Sequence, residues 1–195
     1  MTSRNISNHP ILSSLNRLYQ ETKRLQQKRG NWSYVFEDAT GLYNTVSKLQ
    51  PSRILEFGTA IGFTSCVMAL SSPKAIIDTI DLDEVNITLA RHNFNFQGLS
   101  EKITTHQGDF DNVIDRLGKD YDFVFFDGFA PEFGLLEKIY QHLIPQGVFA
   151  CSNLSLCHDS NVTHFLGNAA IWQELPSIEQ ANTRIFRKHP SVHEK

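Results

Sequence analysis

The chain has 195 residues, 41% of them hydrophobic and 20% charged, which excludes a disordered, collagen-like or fibrous protein. Its 18 Lys and Arg against 21 Asp and Glu leave a net charge of −3, so no basic field advertises nucleic acid and such a partner is disfavoured. Three cysteines without a C-x-x-C pair build neither a disulfide framework nor a zinc cluster.

Met1–Pro10 is polar, so no signal peptide is expected, and no stretch has the length to span a bilayer. The expectation is a soluble cytoplasmic domain. Residues 11–29 carry Ile11, Leu12, Leu15, Leu18, Tyr19 and Leu25 at helical spacing and predict a helix that Gly30 stops. Its basic end (Lys23, Arg24, Lys28, Arg29) reads first as a solvated helix terminus that complements the dipole. A second helix is predicted over Asp38–Leu49, ending before Pro51.

From Arg53 the pattern alternates. Ile54–Phe57, Ala75–Ile80, Ile103–His106, Phe123–Phe126 and Val148–Cys151 read as strands; Phe63–Leu70, Glu84–Phe96, Asp111–Leu117 and Glu132–Leu143 read as helices. Such alternation means βαβ units and a parallel sheet. Ala170–Leu175 and Thr183–Lys188 follow with no helix between them and predict a closing antiparallel hairpin. The domain boundaries expected are an N-terminal helical cap over 1–50, a core over 51–189 and a tail over 190–195.

Four acidic positions fall at the ends of successive strands, where open α/β sheets bind ligands. Glu56 begins Glu56-Phe57-Gly58-Thr59-Ala60-Ile61-Gly62-Phe63-Thr64, a strand that runs through two glycines into a helix. Glycine is needed where backbone turns tightly and a ligand lies against it, although a plain βα turn also uses it. The spacing is not the G-x-G-x-x-G of a dinucleotide site, which lowers a nicotinamide reading. Asp81 ends the second strand, where an acid can accept ribose hydroxyls. Asp109 and Phe110 follow the third strand and would flank an adenine, or Asp109 merely caps a helix. Asp127 ends the fourth.

Together these motifs resemble class I S-adenosylmethionine-dependent methyltransferases, and within them the catechol and caffeoyl-CoA type of O-methyltransferase with its small bacterial relatives. The resemblance runs from Phe36 to Leu154 and takes in Gly41 and the closing hairpin. It implies a Rossmann-like α/β fold with S-adenosyl-L-methionine as cofactor. Glu56 and the Gly58–Gly62 loop would hold the amino acid part, Thr64 its carboxylate, Asp81 the ribose, Asp109 and Phe110 the adenine, with Phe36 along the outer side. Asp127 would stand near the methyl group and the acceptor. The family holds a divalent metal on an aspartate at the position of Asp127 and an Asp-Asn pair after the fifth strand; here that pair is Ser152-Asn153. The family's catalytic lysine, three residues beyond the first aspartate, is Ala130. With both groups missing, no metal is expected.

A hydroxyl acceptor then needs a protein base, and Asp127 and His158 are the candidates, although His158 also reads as an exposed loop histidine. The reading is a methyltransferase acting at oxygen on a small-molecule acceptor, with no membrane partner and a second copy of the chain left open as one. Two others stay open: a catalytically silent S-adenosylmethionine-binding module, and a tRNA-modifying enzyme of the same fold. The helix over residues 11–29 and the Trp32–Phe36 segment have no place in the βαβ order and are expected to cover the carboxyl edge and help enclose the acceptor.

Overall fold

Burial on both faces accounts for the apolar runs that form the centre of the sheet. The computed structural model describes residues 9–28 and 35–190. The predicted helix stop at Gly30, Trp32, most of the polar N-terminal run and most of the tail lie outside the described residues. Five parallel strands, β1 (Arg53–Phe57), β2 (Ile76–Asp81), β3 (Ile103–Gln107), β4 (Tyr121–Phe126) and β5 (Leu143–Cys151), join a hairpin of β6 (Trp172–Ile178) and β7 (Thr183–Lys188). The order is β3-β2-β1-β4-β5-β7-β6, with β7 antiparallel to both neighbours. Pro176, which donates nothing to a ladder, sits on the edge strand β6.

Helices cover both faces. A 3₁₀ turn at Leu12–Leu15 leads into α1 (Asn16–Lys28), which is followed by α2 (Ala39–Leu49), α3 (Phe63–Ser71) and α4 (Glu84–Phe96). These share one core with Ile54, Phe123, Phe125, Val148 and Ile185. The other face carries α5 (Phe110–Ile114), α6 (Phe133–His142) and α7 (Ser160–Leu166) over Leu55, Phe57, Val124, Phe126 and Phe149. The N-terminal helices therefore form part of a face layer: Leu12 and Leu15 are fully buried, and Tyr19 packs on Phe63 at 5.2 Å. The link before α2 reaches the carboxyl edge of the sheet through Glu37 and Asp38.

Local chemistry sets the boundaries. Asp38, Asp83, Asp109 and Asp159 each accept a backbone N–H at the start of a helix. The helix predicted to reach Leu117 stops at Ile114, because the N–H groups of Arg116 and Leu117 bond three residues back and tighten into a turn. Helix α7 escaped the sequence reading since only Val162 and Leu166 of its seven residues are buried. The hairpin also differs: β6 starts at Trp172 and runs on to Ile178. No helix among the described residues is long and apolar enough to cross a membrane.

Candidate functional site

Hydrogen bonds continue past the strands and tie their carboxyl ends into one rim. Gly58 and Thr59 donate N–H groups to the Ile80 carbonyl at 2.9 and 3.1 Å, Asp127 to Phe57 at 2.9 Å, Ser152 to Phe126 at 2.8 Å, and Gly108 to Asp81 at 3.0 Å. This rim spans the switch point between β1 and β4, where the sheet's winding reverses. Gly58 has φ 100°, and a Cβ there would lie 2.7 Å from the Asp127 carbonyl oxygen. Gly62 has φ 90° and faces the Phe94 ring, which a Cβ would strike. Glycine at both positions lets the loop lie flat against its neighbours.

Glu56 is fully buried on β1 and points at the start of α3. It accepts the hydroxyls of Thr64 at 2.5 Å and Thr79 at 2.6 Å, and that of Ser65. Burial pushes its carboxyl up to about 7, against the three hydrogen bonds that favour the ionised form. The Thr64 hydroxyl is thus turned inward to Glu56, and both residues brace the loop from below.

Asp81 is half-buried at the end of β2 and accepts from the N–H of Ala60 at 2.8 Å and of Asp83 at 2.9 Å. The Asn86 amide reaches the same carboxylate at 3.2 and 3.3 Å. Burial, then the Asp83 charge, raises its carboxyl above the ordinary range against these hydrogen bonds. Asp109 is exposed and caps α5 through the N–H of Asp111 at 3.0 Å, while Phe110 meets Phe57 edge-on at 5.3 Å. The Phe36 ring is buried in the core, edge-on to Phe125 at 5.3 Å.

Asp127 follows β4 on the same rim. Its carboxyl is held well above the usual range, first by burial and then by the charges of Glu179 and Glu56, against a hydrogen bond with Ser152. The Ser152 hydroxyl also donates to Glu179 Oε2 at 3.4 Å. Asn153 donates to the Gly128 carbonyl at 3.1 Å and accepts from Asn182 at 3.4 Å. Asn153 Oδ1 and Glu179 Oε2 therefore accept from protein donors, and Ser152, itself a donor, brings no charge. This set does not fit a hard divalent cation, which takes several oxygen ligands. Among the described residues no group of three or more His, Cys, Asp or Glu is arranged to hold a metal.

Ala130 lies in the loop after Asp127, where Phe129 is 70% exposed. His158 is exposed between a 3₁₀ turn and α7, and among the described residues no hydrogen bond joins it to Asp127. Glu179 and Asn182 on the hairpin connection were missed. They are 52 and 55 residues beyond Asp127 (179 − 127; 182 − 127), in a turn whose sequence carries no pattern, so only the fold brings them to the rim.

The family model described as O-methyltransferase matches residues 3–162. Catechol O-methyltransferase of Sus scrofa is 35% identical over 78 residues, 40% of this chain and 42% of that protein. The chain spans less than half the length of the curated relatives it matches. Among solved structures, a Podospora anserina methyltransferase with SAH bound superposes with a TM-score of 0.75 at 17% identity, over 90% of this chain and 87% of that one. The O-methyltransferase TomG of Streptomyces achromogenes, solved with SAM, does so at 0.74 and 15%, over 98% and 100%. At those identities the likeness is one of fold.

Proposed function

This chain belongs to the O-methyltransferase family, and from that premise we propose that it binds S-adenosyl-L-methionine across the carboxyl ends of β1–β4 and methylates a hydroxyl of a small-molecule acceptor without a divalent metal. One observation carries the reading: the Gly58–Gly62 loop, Asp81, Phe110 and Asp127 converge on one rim at the switch point of the sheet. The relatives solved with SAH and SAM support it.

The donor set suits the cofactor. The Asp81 carboxylate would accept the ribose hydroxyls, exchanging for them the long contacts with Asn86 while keeping the Ala60 and Asp83 N–H groups. Phe110, and Asp109 beside it, would border the adenine. The Gly58–Gly62 loop would hold the amino acid part, with Glu56 and Thr64 supporting it from beneath. Phe36 would act only through the wall behind the site. When bound, S-adenosylmethionine supplies a methyl carbon activated by a sulfonium.

Asp127 is favoured over His158 as the base because it is enclosed and lies on the rim. Asp127 would take the acceptor's O–H proton as the acceptor oxygen bonds to the methyl carbon, which the bound sulfonium would supply while leaving as a neutral thioether. The enclosed, negatively charged surroundings of Asp127 increase its affinity for the proton and make it a stronger base than a free carboxylate. In-line placement by the loop and the Asp127 side supplies much of the remaining rate. Phe129, exposed beside the base, offers an apolar surface to the acceptor. The test is methyl-labelled cofactor with a panel of phenolic and aliphatic hydroxyl acceptors. Label in an ether product supports the reading; label on nitrogen or none in any product refutes it.

A further inference from the structure

Glu179, Gln180 and Ala181 are three consecutive non-glycine residues with φ 54°, 55° and 71°. L-residues occupy this left-handed region sparsely, and such strain persists only where the surroundings over-determine it. Here they do. Glu179 Oε2 accepts from Thr183 Oγ1 at 2.7 Å, Asn182 Nδ2 at 3.0 Å and Ser152 Oγ at 3.4 Å. Its Oε1 accepts the N–H of Glu37 at 3.3 Å, and its own N–H donates to Asp38 Oδ2 at 2.9 Å. Asp38 uses its other oxygen to cap α2 through Gly41 N–H at 2.9 Å. A side chain at Gly41 would collide with that carboxylate, so glycine there allows the shared contact.

One side chain thus joins three parts of the fold: the link before α2, the end of β5 and the hairpin turn. The side-chain contact with Glu37 crosses 142 residues of sequence, and the Glu179 backbone N–H reaches Asp38 across 141. We propose that Glu179 is a positioning residue for methyl transfer, a clasp that holds the Phe36–Asp38 link against the end of β5 and so builds the acceptor side of the site beside Asp127. This rests on the reading under Proposed function. Both Glu179 oxygens are taken by protein donors, so it acts through the wall it holds and not by touching the acceptor. Among the described residues no hydrogen bond joins Glu179 to the loop after β1 or to the end of β2, so opening the clasp is expected to leave the cofactor side in place.

The experiment compares the full-length protein with Glu179→Ala and Glu179→Gln. It reads amide hydrogen exchange over residues 36–42, SAH affinity by calorimetry, and steady-state methyl transfer with catechol as the probe acceptor. Glu179→Ala is expected to speed exchange over 36–42 at least tenfold and to raise the KM for catechol at least tenfold, with SAH affinity within twofold of wild type. Glu179→Gln keeps an oxygen for the Glu37 N–H and should recover most of the protection and of the KM. Unchanged exchange in the alanine variant overturns the clasp. So does a parallel loss of SAH affinity, which would mark a general loosening. Should Glu179→Ala fail to fold, the glutamine variant decides: it must lie between wild type and a tenfold change in exchange and KM, and full loss of SAH binding overturns the proposal. If wild-type protein does not turn over catechol, that bears on the acceptor alone, and the exchange and calorimetry results still decide the clasp.

Discussion

Asp81 accepts the backbone N–H of Ala60 at 2.8 Å, so the acid at the end of β2 fixes the loop that follows β1. One carboxylate thereby orders the loop and, in the proposed function, would also receive ligand hydroxyls. Asp81→Asn keeps an oxygen for Ala60 but removes the charge that strengthens hydrogen bonds to a ribose. Charge-assisted hydrogen bonds contribute about 1.5–3 kcal/mol each. Calorimetry should find SAH bound at least tenfold more weakly with circular dichroism unchanged; equal affinity would remove Asp81 from the ribose.

Glu56 gives the fold a dependence on pH. Its carboxyl titrates at about 7 in the folded chain against an ordinary 4.5. The folded state keeps a proton that the unfolded chain has released, so this residue's contribution to stability falls as pH rises through that window. A shift of this size corresponds to about 3 kcal/mol. Urea unfolding of Glu56→Gln at pH 5 and pH 7.5 should show a smaller loss across the interval than wild type; an identical loss would mean that Glu56 is ionised throughout.

The N-terminal helices share the core of the sheet, and their removal is first a question of stability. Leu15 is fully buried on the face shared with α3. Leu15→Ala should cost about 2–5 kcal/mol in denaturant unfolding, the usual range for a buried leucine. A loss below about 1 kcal/mol would show that this segment is only loosely attached.

Metal independence belongs to the proposed function and rests on the hydrogen-bond partners of Ser152 and Asn153. Turnover, with whichever acceptor is found, should survive EDTA and gain nothing from Mg²⁺ or Mn²⁺. Its acid limb should lie above the ordinary carboxylate range, because burial and the neighbouring charges of Glu179 and Glu56 raise Asp127, and the rate should climb with pH as that carboxyl ionises. Activity abolished by EDTA and restored by a divalent ion would contradict this.

The alternation from Arg53 to Cys151 was legible because most of the parallel strands carry a short apolar run bounded by polar or glycine residues, β3 with only Ile103 buried being the exception, and each acid at a strand end could be read in place. What the sequence hid was long-range or doubly used. Glu179 meets Glu37 across 142 residues in a turn without a signature. Phe36 and Thr64 each carry a contact that position alone did not announce: the Phe36 ring packs on Phe125, and the Thr64 hydroxyl donates to Glu56. Asp109 caps α5, one of the two uses its position offered. Helix α7 was invisible because two buried residues make too faint a period.

The rim formed by the Gly58–Gly62 loop, Asp81 and Asp127 is proposed as the S-adenosylmethionine site. The direct measurement is a calorimetric titration of the purified chain with SAH, with NAD as the comparison ligand. One saturable SAH site per chain is expected at micromolar concentrations, with no heat from NAD. Absence of SAH binding at millimolar concentration, or binding of NAD in its place, would contradict it.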